Sequence, residues 1–367
     1  MRLKELILFS IPIFLLCFCQ SSSGQDLYDS NIVKVAVIQG SPSPRQDPFM
    51  EDYDPSMVRP QSTAHFNKLI KLFEKAGRMG ADIVCGPEDM QNIGAYGLHV
   101  DVIDPVTSEI LFISLALPVP GPITDQIAEI ARQYDMYIVA PLYEREKEKV
   151  YNTSVIFNRE GDIIGKHRKT IFPVMESWLV SPGDEYPVFK TDFGTIAVAT
   201  CWEINFPEIS TIYALMGADI IFNPTMGREN KDPSLASAPR YLARAIDNFV
   251  YIAPVIIGSD GSGIIDFNGN VIAEAPGSTD TVIMAEIDFN RAPVLESKWW
   301  TTINGTENTK AIHYLSRRPE LCTFLTEPNP PVLNQYKDIQ LTTGNRERQL
   351  RAVKDVDYGP GGKNDNK

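Results

Sequence analysis

The chain has 367 residues, 43% hydrophobic and 22% charged, the composition of a globular protein with a sizeable core. It carries 34 basic against 47 acidic residues, and a net charge of −13 argues against a nucleic-acid partner, which needs a basic footprint. Collagen-like, coiled-coil and disordered classes are excluded by the same composition, and five cysteines are too few for a disulfide scaffold.

Arg2 and Lys4 precede an apolar run from Leu6 to Cys19, broken only by Ser10 and Pro12 and followed by Gln20-Ser21-Ser22-Ser23-Gly24. A basic start, a short apolar centre and small residues describe a secretory signal peptide. The run is shorter than the roughly 20 residues that span a bilayer, so no stable membrane insertion is expected. Ser22 and Gly24 place cleavage before Gln25, making residues 1–24 the leader of an exported protein, secreted or periplasmic. Lipid attachment at Cys19 is the alternative fate, and the bulky Phe18 before it speaks against that. Cleavage leaves Cys85, Cys201 and Cys322, an odd number that flags a free thiol in an exported chain.

From Ile32, strand-like and helix-like segments alternate. Ile32–Gln39 is an apolar, β-branched strand of the kind covered on both faces. The spacing of Phe66, Leu69, Ile70 and Phe73 predicts a helix from about Gln61 to Met79. Ala81–Cys85 is the next strand, followed by a helix over Ile123–Tyr134 and a strand over Tyr137–Pro141. Val150–Asn158 and Asp162–His167 flank Arg159-Glu160-Gly161 as a hairpin. Thr195–Thr200 is a buried strand leading to a helix over Glu208–Met216. Strands then follow at Ala218–Asn223, Phe249–Ile257, Gly263–Phe267, Val271–Ala275 and Thr281–Ile287, with a helix over Arg240–Asp247 and a turn at Asn268-Gly269-Asn270. Helices interleaved with strands and hairpins imply an α/β fold with mixed sheets. Residues 25–290 form one domain; the tail 291–367 is richer in Pro and polar residues, with a disordered end from Gly359.

Several chemistries lack their residues. His65, His99, His167 and His313 have no His-Glu-x-x-His or Cys-x-x-Cys company, so no metal is expected. There is no phosphate-cradling Gly-x-x-x-x-Gly-Lys loop, and Gly258–Gly263 fits neither a dinucleotide fingerprint nor a nucleophile elbow. No cofactor is implied.

Cys201 stands directly after the buried strand and before Trp202-Glu203-Ile204-Asn205-Phe206-Pro207-Glu208. A sharp strand-to-helix turn presents a side chain at the edge of a sheet, and the nearby helix N-terminus favours a thiolate. Taken alone, this position also suits a structural cysteine. Cys85, inside a strand, reads as core. Gly86-Pro87-Glu88-Asp89 places a carboxylate just beyond another strand, and His167-Arg168-Lys169-Thr170 places a lysine beyond a third. Open sheets build sites where strands end.

With these residues, the sequence resembles the nitrilase superfamily of carbon–nitrogen hydrolases. The matching segments are Gly86–Glu88, His167–Pro173 and Cys201–Glu208, framed by Tyr151-Asn152-Thr153, Ser181-Pro182-Gly183-Asp184, Phe193-Gly194, Gly217-Ala218-Asp219 and Arg244-Ala245. The likeness covers about Ile32 to Ile287. It implies an α-β-β-α sandwich of two mixed six-stranded sheets, with Glu88, Lys169 and Cys201 converging as catalytic residues. Cys201 would attack the carbonyl or nitrile carbon, Glu88 would move the protons, and Lys169 with the Trp202 amide would hold the oxyanion. Glu176 is the candidate second glutamate, orienting Lys169 or the substrate. Asn223 would line the pocket or shape its loop, Glu203 would face the pocket or make an ion pair, and Arg244 would make a buried ion pair.

The implied function is cleavage of a non-peptide amide in a small molecule through a cysteine thioester. Cys-Trp-Glu is similar to the nitrilase branch, whereas Phe206-Pro207-Glu208 is similar to amidase branches. Pro87-Glu88-Asp89 resembles exported amide-cleaving relatives, and export favours the amide reading. A nitrilase, an acyltransferase using the same acyl-enzyme and a non-catalytic binding protein are the alternatives. Residues 291–367 resemble extensions through which such enzymes form homo-oligomers. Long loops at Arg45–Arg59 and Asn92–Pro120, with Tyr53, Tyr96, His99 and Phe112, would form a lid or cover the core. Asn152 and Asn304 head glycosylation sequons, of which Asn152 is discounted as part of a buried strand.

Overall fold

The computed structural model describes residues 31–41, 43, 51–94, 102–173, 176–227, 234–257, 260–277, 279–290 and 308–336. The expected leader, His99, Tyr96, Asn304, Gly258 and the end of the tail lie outside these residues.

In chain order the strands are β1 (Ile32–Gln39), β2 (Ile83–Cys85), β3 (Tyr137–Glu146), β4 (Lys149–Phe157), β5 (Ile163–Arg168) and β6 (Val188–Lys190). They continue as β7 (Thr195–Val198), β8 (Ile220–Met226), β9 (Tyr251–Ile257), β10 (Gly263–Ile265), β11 (Val271–Glu274) and β12 (Thr281–Asp288). The helices are α1 (Val58–Arg78), α2 (Leu111–Leu115), α3 (Pro122–Tyr134), α4 (Pro207–Leu215), α5 (Pro239–Asn248) and α6 (Thr309–Leu315). Two six-stranded sheets result, ordered β12-β1-β2-β3-β4-β5 and β11-β10-β9-β8-β7-β6. Each is mixed. β1, β2 and β3 run parallel in the first sheet and β7, β8 and β9 in the second, with antiparallel strands outside them.

Strand periodicity sorts the core into layers. From β1, Val33, Val35 and Val37 point between the sheets and meet Ile196, Val198 and Phe222 of the second sheet. Ala36 and Ile38 point the other way, onto Leu69 and Phe73 of α1 and Ile127 of α3. Across the second sheet, Ala197, Ile221 and Ile252 pack under Tyr213 of α4 and Tyr241 of α5. The layers are therefore α-β-β-α, as the resemblance implied. Each fully buried Val or Ile contributes about 1.5–3 kcal/mol, so a charge at Val35 would break the central seam.

The expected elements are present with small shifts in their ends. β6 is an addition: Val188-Phe189-Lys190 is too short for periodicity to mark, yet Phe189 fills the intersheet core. β3 runs on to Glu146, well past the expected end at Pro141. Its later residues pair with β4, where Tyr143 lies opposite Asn152. Within the long segment after Asn92, α2 buries Phe112 in a satellite cluster with Ile93, Tyr143 and Val180, so Phe112 covers core. In the tail, α6 docks on the domain's own body: the Tyr314 hydroxyl donates to the Asn248 carbonyl at 2.8 Å, and His313 meets Phe249 edge-on.

Candidate active site

Three strand ends and one turn supply the site. Beyond β2, Gly86 donates to the Val139 carbonyl at 2.9 Å, keeping the chain along β3 as it leaves the sheet. Asp89, in the left-handed region at φ 56°, accepts from the amides of Ile93 at 3.0 Å and Gly94 at 2.8 Å. That turn fixes Glu88, whose side chain is buried.

Lys169 follows β5. Alternation along β5 sends Lys166 and Arg168 outward to Glu144, whereas His167 and Lys169 point inward. The Lys169 amide donates to the Asn152 carbonyl at 2.8 Å, extending the β4–β5 ladder by one step. Its own carbonyl accepts from Gly183 at 2.9 Å, and a Cβ at Gly183 would stand 2.2 Å from the Arg168 carbonyl oxygen. Only glycine lets that loop press so closely behind the lysine.

Cys201 opens a 3-10 turn, Cys201–Asn205, shortly after β7 ends at Val198. Its φ is 50°, in the left-handed region that residues with a Cβ seldom adopt. The side-chain Nδ2 of Asn223 donates to the Ala199 carbonyl at 2.5 Å and the Cys201 carbonyl at 3.3 Å, clamping both sides of the elbow. Arg244 braces the far end. Its Nε and Nη2 donate to the carbonyls of Ile204 and Asn205, each at 3.1 Å. This corrects the expected ion pair: among the described residues Arg244 binds carbonyl oxygens, because the turn leaves those acceptors unpaired.

The side chains converge. Lys169 Nζ lies 3.1 Å from Glu88 Oε1 and 2.6 Å from Glu176 Oε2, and all three groups are buried. Asn152 completes the ring: its Nδ2 donates to Glu88 Oε1 at 2.8 Å and to Glu176 Oε1 at 2.6 Å. Glu88 Oε2 accepts from the Met226 amide at 2.8 Å. Glu88 Oε1 therefore has two donors and Oε2 one, which leaves Oε2 the freer proton acceptor. Lys169 commits two of its three protons to the carboxylates and keeps one.

The electrostatics follow from burial and these charges. Burial pushes the Lys169 amine down, but Glu176 and Glu88 beside it more than reverse this and hold it well above the usual lysine range. Burial pushes the Glu176 carboxyl up against the pull of Lys169, and the Glu88 charge adds to the rise. The Cys201 thiol is pushed up to about 12 by burial and by the Glu88 charge, against the pull of Lys169 and a hydrogen bond with Thr225. The helix-terminal field is outweighed by desolvation and a facing carboxylate, so the resting group is a thiol.

Glu203 turns away from substrate chemistry. Its carboxylate pairs with the buried His167 Nε2 at 2.8 Å and accepts from the Thr200 amide at 2.6 Å and the Thr170 amide at 2.8 Å. Burial pushes this carboxyl up, but the His167 and Thr170 contacts outweigh it and hold the group below its usual range. Trp202 sits in the first turn beside Cys201, its indole 36% exposed. Its amide belongs to the N–H groups that lack an intrahelical acceptor.

Sequence reasoning thus brought Glu88, Lys169, Glu176 and Cys201 to one place. Asn223 binds the backbone of the elbow. Thr225, two residues after Asn223 in the segment expected to line the pocket, hydrogen-bonds with Cys201, whereas Asn152 and the Met226 amide were missed as members of the site. The available signal for Asn152 was the run of three polar residues, Asn152-Thr153-Ser154, inside a buried strand. Its buried, occupied amide also closes the Asn152 sequon to glycosylation in the folded protein. Cys85 is core, as expected.

Residues 34–294 match the family model described as carbon-nitrogen hydrolase. The chain is 30% identical over 252 residues to omega-amidase NIT2 of Xenopus tropicalis, covering 64% of this chain and 86% of that protein. It is 34% identical over 312 residues to beta-ureidopropionase of Arabidopsis thaliana, covering 76% of this chain and 72% of that one. The crystal structure of Saccharomyces cerevisiae Nit3, a member of branch 10 of the nitrilase superfamily, superposes with a TM-score of 0.53 at 24% identity, covering 70% of this chain and 90% of Nit3. The chain is a carbon–nitrogen hydrolase and belongs to the nitrilase superfamily.

Proposed function

We propose that the enzyme hydrolyses the amide bond of a small molecule through a thioester on Cys201. The observation that carries this reading is the buried ammonium of Lys169 held between Glu88 and Glu176 beside a thiol on a left-handed elbow. A thiol with a pKa of about 12 is scarcely ionised at neutral pH, so attack needs a base in contact with the proton. Glu88 Oε2 takes the Sγ proton as the Sγ–C bond forms and the carbonyl π pair moves to oxygen. The third Lys169 proton and the Trp202 amide stabilise that oxyanion, a task Glu176 supports by fixing the ammonium. Collapse breaks the C–N bond, and Glu88 returns its proton to the leaving amine. Water then attacks the thioester, giving a proton to Glu88. The second tetrahedral species expels the sulfur, which recovers that proton as the acid leaves.

A mass-spectrometric panel of primary amides, N-carbamoyl amines, secondary amides and nitriles tests the reading, each run against Cys201→Ala. Cys201-dependent amide cleavage supports it. Turnover confined to nitriles, or acyl capture by an added amine without hydrolysis, would replace it with the nitrilase or acyltransferase alternative.

Export and self-association belong to the same proposal. Export is supported by the basic start and short apolar run of residues 1–24, and a mature N-terminus other than Gln25 would count against that cleavage site. Self-association is supported by the segment after α6, where Leu321, Phe324 and Leu325 are 69%, 70% and 69% exposed. Sedimentation should give an oligomer that truncation after Leu315 dissociates; a monomeric full-length chain would contradict it. No described helix is long and apolar enough to cross a membrane.

A further inference from the structure

Asn152 stands opposite Lys169 across the two glutamates. Both protons of its amide are spent, one on Glu88 at 2.8 Å and one on Glu176 at 2.6 Å. A side-chain amide has two N–H donors, so nothing remains for substrate. Lys169 touches the same two carboxylates from the other side. The four groups form a closed ring in which each carboxylate is gripped by both Lys169 and Asn152, and Glu88 accepts from the Met226 amide as well. The backbone makes the ring rigid, because the Asn152 carbonyl accepts the Lys169 amide at 2.8 Å. Cross-strand neighbours share a face, so the ladder aims both side chains at the same carboxylates.

Two carboxylates around one ammonium repel each other and compete for a proton. Without Asn152, Lys169 would be the only group holding the two together, since the Met226 amide reaches Glu88 alone, and a substrate oxyanion would then draw the same ammonium away. A second donor that carries no charge keeps the carboxylates apart and ionised without attracting the oxyanion. We infer that Asn152 is a positioning residue for amide cleavage, a neutral clamp that fixes Glu88 as proton acceptor and Glu176 as support for Lys169. The inference rests on the proposed amide chemistry, but its signature in cysteine reactivity does not depend on which substrate is cleaved.

Donor count and shape give opposite orders among variants. Asn152→Asp keeps the shape, loses both donors and adds a third carboxylate. Asn152→Ser keeps one donor in a smaller side chain, and Asn152→Ala keeps none. The clamp requires kcat to fall in the order wild type, Ser, Ala, Asp, with Ala down about 10- to 100-fold as expected for lost hydrogen bonds to charged groups. A space-filling role requires Asp to stay near wild type and Ser to resemble Ala.

The second readout is the pH dependence of Cys201 alkylation by iodoacetamide in the full-length enzyme, followed on the Cys201 peptide so that the exposed thiol of Cys322 is counted separately. Hydrogen bonds to an ionised carboxylate favour that form, so their loss should move the acid limb to higher pH in Asn152→Ala, and less in Asn152→Ser. Thermal melts identify a variant that fails to fold, and Asn152→Ser, the mildest change, then carries the comparison. An unmoved acid limb with kcat within about threefold of wild type in a folded variant, or an Asp variant more active than Ala, overturns the inference. If wild-type enzyme cleaves no amide while the limb still moves, the clamp stands and the amide reading falls.

Discussion

The carboxylate of Glu203 accepts the amide of Thr170 at 2.8 Å, joining the residue after Lys169 to the turn that carries Cys201. Its other oxygen accepts from Thr200, the residue before Cys201, and pairs with His167. One buried side chain thus sets the separation between the ammonium of one sheet and the nucleophile of the other. Removing one partner of a buried, hydrogen-bonded pair costs about 3–5 kcal/mol, so Glu203→Ala should lower the free energy of unfolding by that order. Denaturant titration measures it, and a loss under 1 kcal/mol would contradict the staple.

Glu203 also gives stability a definite pH dependence. Its folded-state pKa is depressed, so its contribution is present above the unfolded value near 4.5 and is lost as pH falls through the lower folded value. The stability difference between wild type and Glu203→Gln should therefore shrink on acidification below that range. A difference that grew with acid would reverse the sign.

Cys201 should behave as an unusually weak acid. With its pKa at about 12, the part of the thiolate absorbance that Cys201→Ala removes should be absent at neutral pH and appear only in strong alkali, apart from the signal of the exposed Cys322. Raising an acid's folded pKa stabilises the fold below the unfolded value of about 8.5 and loses that contribution as pH climbs. A thiolate titrating near neutrality would contradict burial and the Glu88 charge as its governing influences.

The elbow's backbone makes a separate prediction. A side chain with a Cβ at φ 50° costs roughly 1–2 kcal/mol, partly offset in glycine by its greater freedom when unfolded. Both Cys201→Gly and Cys201→Ala abolish the thiol, yet the glycine variant should unfold at higher denaturant. A more stable alanine variant would show the elbow to be unstrained.

Lys169→Met should lower kcat by roughly 10²–10³-fold through loss of an oxyanion donor. It should also destabilise the protein, since Glu88 and Glu176 then face each other without their shared cation. Because those carboxylates hold the lysine above its usual range, no alkaline limb in the wild-type rate profile should come from its deprotonation. Loss of activity near pH 10 that vanished in Lys169→Met would contradict this.

Much of this was legible in the sequence. Val33, Val35 and Val37 alternate with Ala36 and Ile38 as a strand covered on both faces must, and the strand ends at Glu88, Lys169 and Cys201 followed from that reading. Short elements such as β6 were not legible, because three residues contain no period. How strongly the proton is held at Cys201 was not legible, because the turn alone favours a thiolate while burial and Glu88, which oppose it, come from residues distant in sequence. Arg244 was expected to seek a carboxylate because buried guanidinium groups need partners, but carbonyl oxygens at a turn's end satisfy it equally. Asn152 was seen in the sequence as part of the family's frame and as a sequon, but its place in the site exists only once β4 and β5 set it opposite Lys169.

The most direct test of the central claim is peptide mapping by mass spectrometry of enzyme quenched within milliseconds of mixing with a cleavable amide. The account requires an acyl mass on the peptide containing Cys201, formed as the amine is released and absent in Cys201→Ala. It should form at least about 100-fold more slowly in Glu88→Gln, where the proton acceptor is removed. Steady amide turnover with no adduct on Cys201, or with turnover surviving in Cys201→Ala, would contradict it.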